Sequence, residues 1–374
     1  MRKLSMSSKA IVLVFIFFIF MILTLQAQKV QIKKENGITV ILNPKKPVKL
    51  PGMPTTLKLT EELCLGKETK DENYMFSELN SVQVDDHGNI YTLDSKEILV
   101  KVYDKNGKHL RTFGKKGQGP GEFQSLRRMF IAEGEKLTFQ DTRNKRFSYY
   151  SLNGECLKET SYGKWNLGRV QADSQKYIYG ETIAIDETGT KQKIVKFDPQ
   201  FNQISELAYL EIKMMPPSIN AMPTRFFFMI TKEDNFIWVV TSKYELNVIN
   251  SKREKIKKIV KNYNPVKITD AEKERLKERI GDSLPQDIKL EWPENYPPLY
   301  YFALDDRGLI YVSTYEKDVN GNIYFDVFDA EGRCFARFPH PEAELLFVVK
   351  KNKAYFLIQE SEEGLPLVKR YSME

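Results

Sequence analysis

The chain has 374 residues, 29% of them charged, and a formal net charge of +7. Acidic and basic residues are interspersed throughout, and removing the three cations of the N-terminal segment from +7 leaves +4; this is a solvated mixed surface and argues against nucleic acid as a partner. Three cysteines over such a length make no disulfide framework, so an apolar core has to hold the chain, and the length suffices for one.

The chain opens MRKLSMSSKAIVLVFIFFIFMILTLQAQ: a basic head (Arg2, Lys3, Lys9), an apolar stretch over residues 10–25, and a small residue, Ala27, suited to cleavage. This is the layout of a secretory signal over residues 1–27. The apolar stretch is long for a signal core and short for a span, so an uncleaved anchor is the rival reading. Either way the remainder is expected outside the cytoplasm, periplasmic or secreted, and any membrane contact runs through that segment alone. Residues 28–56 read as a leader.

Residues 79–114, LNSVQVDDHGNIYTLDSKEILVKVYDKNGKHLRTFG, read as a four-stranded meander. SVQV alternates, DDHGN is a turn of residues that tolerate positive φ, IYTLD and ILVKVYD are strands, and KNGK turns the chain into HLRTF. The same grammar returns down the chain. Aligned on the second strand, the equivalent positions are Ile90, Leu137, Ile178, Ile237, Ile310 and Tyr355, separated by 47, 41, 59, 73 and 45 residues. Three of these gaps fit the roughly 40 to 50 residues of a four-stranded propeller blade. The longer two are expected to hold a loop at residues 214–223 and an insertion at 262–298. The predicted fold is all-β, a six-bladed β-propeller of four-stranded blades over residues 57–374.

The sixth unit runs out at Glu374 one strand short, and LKLTEELCLG at residues 57–66 is expected to close the ring as its outer strand. After Gly66 the chain reaches FSEL at 76–79; after Gly114 it reaches FQSL at 123–126. The glycine-rich GKKGQGPGEF at 114–123 is therefore a joint between blades. As a phosphate loop it lacks the Gly-Lys-Ser/Thr ending and the G-x-G-x-x-G spacing, and a strand, not a helix, follows it.

The pattern G-x-x-G-x-G-P-G-E-F before a strand, then D-x-x-G-N-I-Y-x-x-D and Y-D-x-x-G-K, resembles NHL-repeat and related six-bladed β-propellers. The export signal, the N-terminal closing strand and the leader ENGITVILNPKKP at 35–47 are similar to the bacterial exported branch of that group. The resemblance covers about residues 35–374 and implies the fold; it implies no particular ligand.

Candidate chemistry is sparse. His87, His109 and His340 fall in different blades, with His87 and His340 at opposite ends of the disc, so they cannot share a zinc, and each is expected at the surface. Asp85 and Asp86, like Asp305 and Asp306, occupy equivalent first turns, where aspartate serves turn geometry. Cys64, Cys156 and Cys334 fall in outer strands of separate blades without a partnering histidine, and are expected as free thiols. SKREKIKKIVK at 251–261 reads as an exposed strand edge. TDAE at 269–272 is a capping box heading a short helix, AEKERLKERI, between the fourth and fifth blades.

With no catalytic set, metal site or cofactor legible, the sequence reads as an exported, monomeric, non-catalytic scaffold that binds a protein, peptide or glycan at the channel-mouth face. The inter-blade loops there nominate Glu122, Phe123, Gln124, Arg128, Trp165, Arg169, Arg225, Phe226 and Tyr300. The alternative is a calcium-dependent hydrolase or lyase that uses channel-mouth carboxylates.

Overall fold

The computed structural model describes residues 29–67, 70–132, 136–186, 189–213, 218–280 and 289–374. The expected signal segment, residues 214–217 of the expected loop and residues 281–288 of the insertion lie outside these. Among the described residues no helix is long and apolar enough to cross a membrane.

Six sheets form the blades, each built on an antiparallel meander. Their innermost strands are Leu79–Val84, Leu126–Ala132, Leu167–Ala172, Phe226–Ile230, Tyr301–Leu304 and Glu344–Lys350, and each is followed outward by its sequence neighbours. There is no single central core. Instead the apolar faces of adjacent blades meet, as where Leu93, Val100 and Val102 of the first blade pack against Met129, Leu137 and Phe139 of the second.

The ring closes as expected: Leu59–Leu65 pairs antiparallel with Leu367–Met373, from Val368 opposite Leu65 to Met373 opposite Leu59. Gly66 and Gly114 leave the outer strands at φ +100° and +122°, and a Cβ on either would lie within 2.5 Å of a backbone carbonyl, Pro366 or Ile98. Only glycine fits there. The next blade is then clipped in place by a carboxylate. Asp94 accepts the backbone N–H groups of Ser77 and Glu78, and Asp141 those of Gln124 and Ser125, while Phe76 and Phe123 are buried beside them.

The first turns are equally repetitive. Asp85, Asp173 and Asp305 each accept a backbone N–H four residues on (Asn89, Tyr177, Leu309) and the hydroxyl of a tyrosine six residues on (Tyr91, Tyr179, Tyr311). These carboxylates are turn-builders, buried and satisfied.

Several expectations are corrected. In blade four the residue equivalent to Ile90 is Phe236, paired with Ile230 as Ile90 pairs with Val84. The sequence alignment on Ile237 is one residue out, because FIWVV is apolar on both faces and alternation cannot fix its register. The 59-residue gap is filled largely by longer strands in blade three, up to 11 residues in Gln203–Lys213. Within the expected loop, Ser218–Asn220 pairs in parallel with Lys289–Glu291 of the insertion. The run 251–261 is no edge: the leader forms a hairpin, Gln31–Glu35 and Ile38–Asn43, whose second strand pairs in parallel with Lys255–Lys261 and widens blade four to six strands. His340 is not at the surface. It is 3% exposed, stacked on Phe356 at 3.7 Å between centroids, and bonded to Glu344.

Candidate functional site at the channel mouth

The phosphate-loop question is settled by geometry. The carbonyls of Gln118, Gly119 and Glu122 turn inward and accept from the Arg146 guanidinium. A phosphate cradle presents N–H groups inward; this loop presents oxygens to a cation. Arg146 was not legible as its partner.

The same joint absorbs three of the nominated residues. Glu122 accepts from the Gly119 N–H and pairs with Lys115, Phe123 is fully buried between Phe139 and Tyr150, and Gln124 is held through its backbone by Asp141. Two more are packing residues. Trp165 stands edge-on to Phe197 at 4.9 Å and donates its indole N–H to the Phe201 carbonyl; Phe226 is buried and stacked on Trp238.

The remaining four converge. Arg128, Arg169, Arg225 and Tyr300 stand where the inner strands of blades two to five begin, and they line one cavity of about 330 Å³ to which all six inner strands contribute. Position alone found them. It missed Arg127, Asn80, Gln83, Gln171 and Phe227, which share the cavity; their signal was their place on the innermost strand of each blade. A second cleft of about 470 Å³ opens between blades two and three at the face of the first turns. Its lining mixes Lys136, Lys158 and Lys176 with Asp173.

The mouth is electrically one-sided. Its walls carry four arginines and no aspartate, glutamate, histidine or cysteine. Among the described residues none of Arg127, Arg128, Arg169 and Arg225 has a carboxylate within ion-pair distance. Arg128 and Arg169 are half-buried. Burial and the neighbouring Arg128 charge hold the Arg169 guanidinium down to about 10, against a partial pull upward from Glu181. Burial likewise lowers Arg128. Aromatic rings orient the cations: Arg169 lies over Phe227 at 5.2 Å and Arg225 over Tyr300 at 5.7 Å.

The insertion stands beside this mouth. Its helix, Asp270–Ile280, is headed by the expected capping box, with reciprocal bonds between Thr269 and Glu272. Its return segment brings Tyr296 onto Tyr315 at 4.5 Å, and Tyr315 in turn packs on Tyr300. A ladder of rings thus runs from the insertion to the cavity.

A calcium ion does not fit here. Calcium takes about six to eight oxygen ligands, carboxylates foremost, whereas four guanidinium groups repel it and the Asp85 and Asp305 carboxylates are already committed to their turns. Elsewhere, among the described residues, no cluster of histidine, cysteine and carboxylate groups is arranged to hold a metal.

A six-bladed propeller with a ligand-sized, cation-lined cavity at the mouth of its channel is the class that this fold and site define. The chain belongs to the DUF5128 family of 6-bladed β-propellers, which it matches over residues 65–352. An exported protein of Bacteroides fragilis superposes with a TM-score of 0.54 at 12% identity, over 90% of this chain and 99% of its own. A member of the DUF4221 family from Bacteroides vulgatus does so at 0.50 and 11%, over 86% and 99%. Virginiamycin B lyase from Staphylococcus aureus is more distant, at 0.46 and 9% over 84% and 99%. These likenesses extend to the fold. A search of curated proteins returns no match by sequence.

Proposed function

We propose that this protein is an exported, monomeric, non-catalytic propeller that binds an extracytoplasmic ligand at its channel mouth. The observation that carries this reading is the convergence of Arg128, Arg169, Arg225 and Tyr300, from four blades, on one cavity. A concave site with a few convergent polar groups is where a scaffold of this kind takes a ligand. The cavity walls supply cations and amides for recognition, and lack the carboxylate or imidazole that would serve as general acid or base. Export rests on the N-terminal segment; the likeness to an exported Bacteroides protein agrees with it.

The test is a ligand screen of saccharides and peptides by ligand-observed NMR, run on the wild type and on Arg128→Glu/Arg225→Glu. Wild type should retain at least one ligand that the double variant loses while keeping its melting temperature. Conversion of a retained ligand to product would overturn the non-catalytic reading. Retention by both proteins alike would move the site away from the mouth.

A further inference from the structure

Four arginines at one cavity, without an ion-pair partner among the described residues, need an explanation. Arg127 and Arg225 are exposed and Arg128 and Arg169 half-buried, and like charges gathered at one mouth disfavour one another, most where burial strips away their water. Such an arrangement persists where an anion completes it, because guanidinium forks bind a carboxylate through paired, charge-assisted hydrogen bonds. The rest of the wall narrows the class. Gln171, which lines the cavity, spends its side-chain carbonyl on the Ile230 N–H at 2.6 Å, so its NH₂ is the end left to donate. Gln83 adds a second amide, and the rings of Tyr300 and Phe347 add flat apolar faces. At about 330 Å³ the cavity is at the small end for ligand sites.

Resting on the mouth as the binding site, we infer that the ligand is a polyhydroxylated carboxylate of the uronic acid type, either free or as the acidic end of a glycan. Its carboxylate lies between Arg169 and Arg128 with Arg225 at the rim. Its hydroxyls meet the amides of Gln171 and Gln83, and the C–H face of its ring lies on an aromatic face. A peptide end would also bring a carboxylate to the arginines and amides to Gln83 and Gln171; it differs in lacking the C–H ring face that lies on an aromatic wall, and it is therefore the competitor in the test.

Calorimetric titration of the purified protein tests this with four probes: galacturonic acid, its linear trimer, the neutral galactose trimer, and a tripeptide with a free C-terminal carboxylate. The trimeric uronate should bind at least about tenfold more tightly than the neutral trimer and the peptide. Arg169→Gln should weaken it by about tenfold or more. Arg225→Gln, at an exposed position that the fold does not need, should weaken it several-fold with an unchanged melt, which keeps the test valid if Arg169→Gln is unstable. Equal affinity for the monomer and trimer identifies the free acid as the source, and a gain in the trimer identifies the glycan end; both support the uronate assignment. Neutral-trimer or peptide binding as tight as that of the uronate, yet abolished by Tyr300→Asp, would overturn the ligand class and leave the mouth in place. Uronate binding unchanged in every mouth variant would overturn both, and no uronate binding at all would overturn the ligand class.

Discussion

Replacing Asn43 by leucine asks whether the N-terminal hairpin belongs to the propeller or merely lies on it. Asn43 is 1% exposed and joins blade four to blade five. Its amide donates to the carbonyls of Gly332 at 2.9 Å and Val260 at 3.3 Å, and its carbonyl accepts from the Cys334 N–H at 2.7 Å. Leucine has a similar volume and restores none of these bonds. The Gly332 carbonyl and the Cys334 N–H are then left buried and unsatisfied, each costing about 1–3 kcal/mol, so that the sum is about 2–6 kcal/mol. Against a net stability on the order of 5–15 kcal/mol this is a large fraction. At about 1.4 °C per kcal/mol for a chain of this size, the midpoint should fall by about 3–8 °C. Thermal melts followed by circular dichroism measure it, with Lys34→Ala on the exposed strand of the same hairpin as the control, expected within about 2 °C of wild type. If Asn43→Leu melts with the control, the hairpin does not staple the blades and the reasoning fails.

Three further outcomes follow from the same structure. Gly114→Ala places a Cβ 2.4 Å from the Ile98 carbonyl at φ +122°, and should destabilise by about 2 kcal/mol or more, whereas Gly163→Ala, which at φ +57° meets the left-handed strain alone with nothing within 4 Å, should lose less; equal melts would contradict the joint. Burial pushes the Glu344 carboxyl up, but hydrogen bonds from His340, Lys369 and Tyr371 outweigh it and hold it at about 2, below its ordinary 4.5. The unfolded chain therefore takes up this proton first, the stabilisation is complete above about pH 4.5 and is lost toward pH 2, and the melting gap between wild type and Glu344→Gln should close over that window; a gap constant with pH would refute it. Thiol titration should find three groups after denaturation, and in the native protein fast reaction only at exposed Cys156, slower at half-buried Cys64 and none at buried Cys334; a denatured count of one would contradict the free thiols.

The blades and their closure were legible because their signals are local and repeated. Gly66 and Gly114 each precede a Phe-x-x-Leu joint, and the sixth blade visibly lacked a strand that residues 57–66 could supply. The hairpin was not legible. ITVILN has the same alternation whether it lies at an edge or inside a sheet, and its partner strand is over 200 residues away (Asn43 to Val260 spans 217). At the mouth, position on the disc found Arg128, Arg169, Arg225 and Tyr300, whose long polar-tipped side chains reach solvent or cavity from a strand end. It misjudged Phe123 and Phe226, because a loop position does not say which way an aromatic ring turns, and apolar rings turn inward. His340 was misplaced for a related reason: a residue at a strand end is buried when a neighbouring blade covers it, here through Phe356 and Tyr371.

Hydrogen exchange with and without bound uronate trimer tests most directly that the channel mouth is the binding site. Amides of the inner strands Leu126–Ala132, Leu167–Ala172 and Phe226–Ile230, together with the loops that lead into them, should gain protection, and the gain should vanish in Arg169→Gln. Protection confined to the cleft between blades two and three, or to the outer strands of blade six, Leu367–Met373 and Leu59–Leu65, would contradict the account.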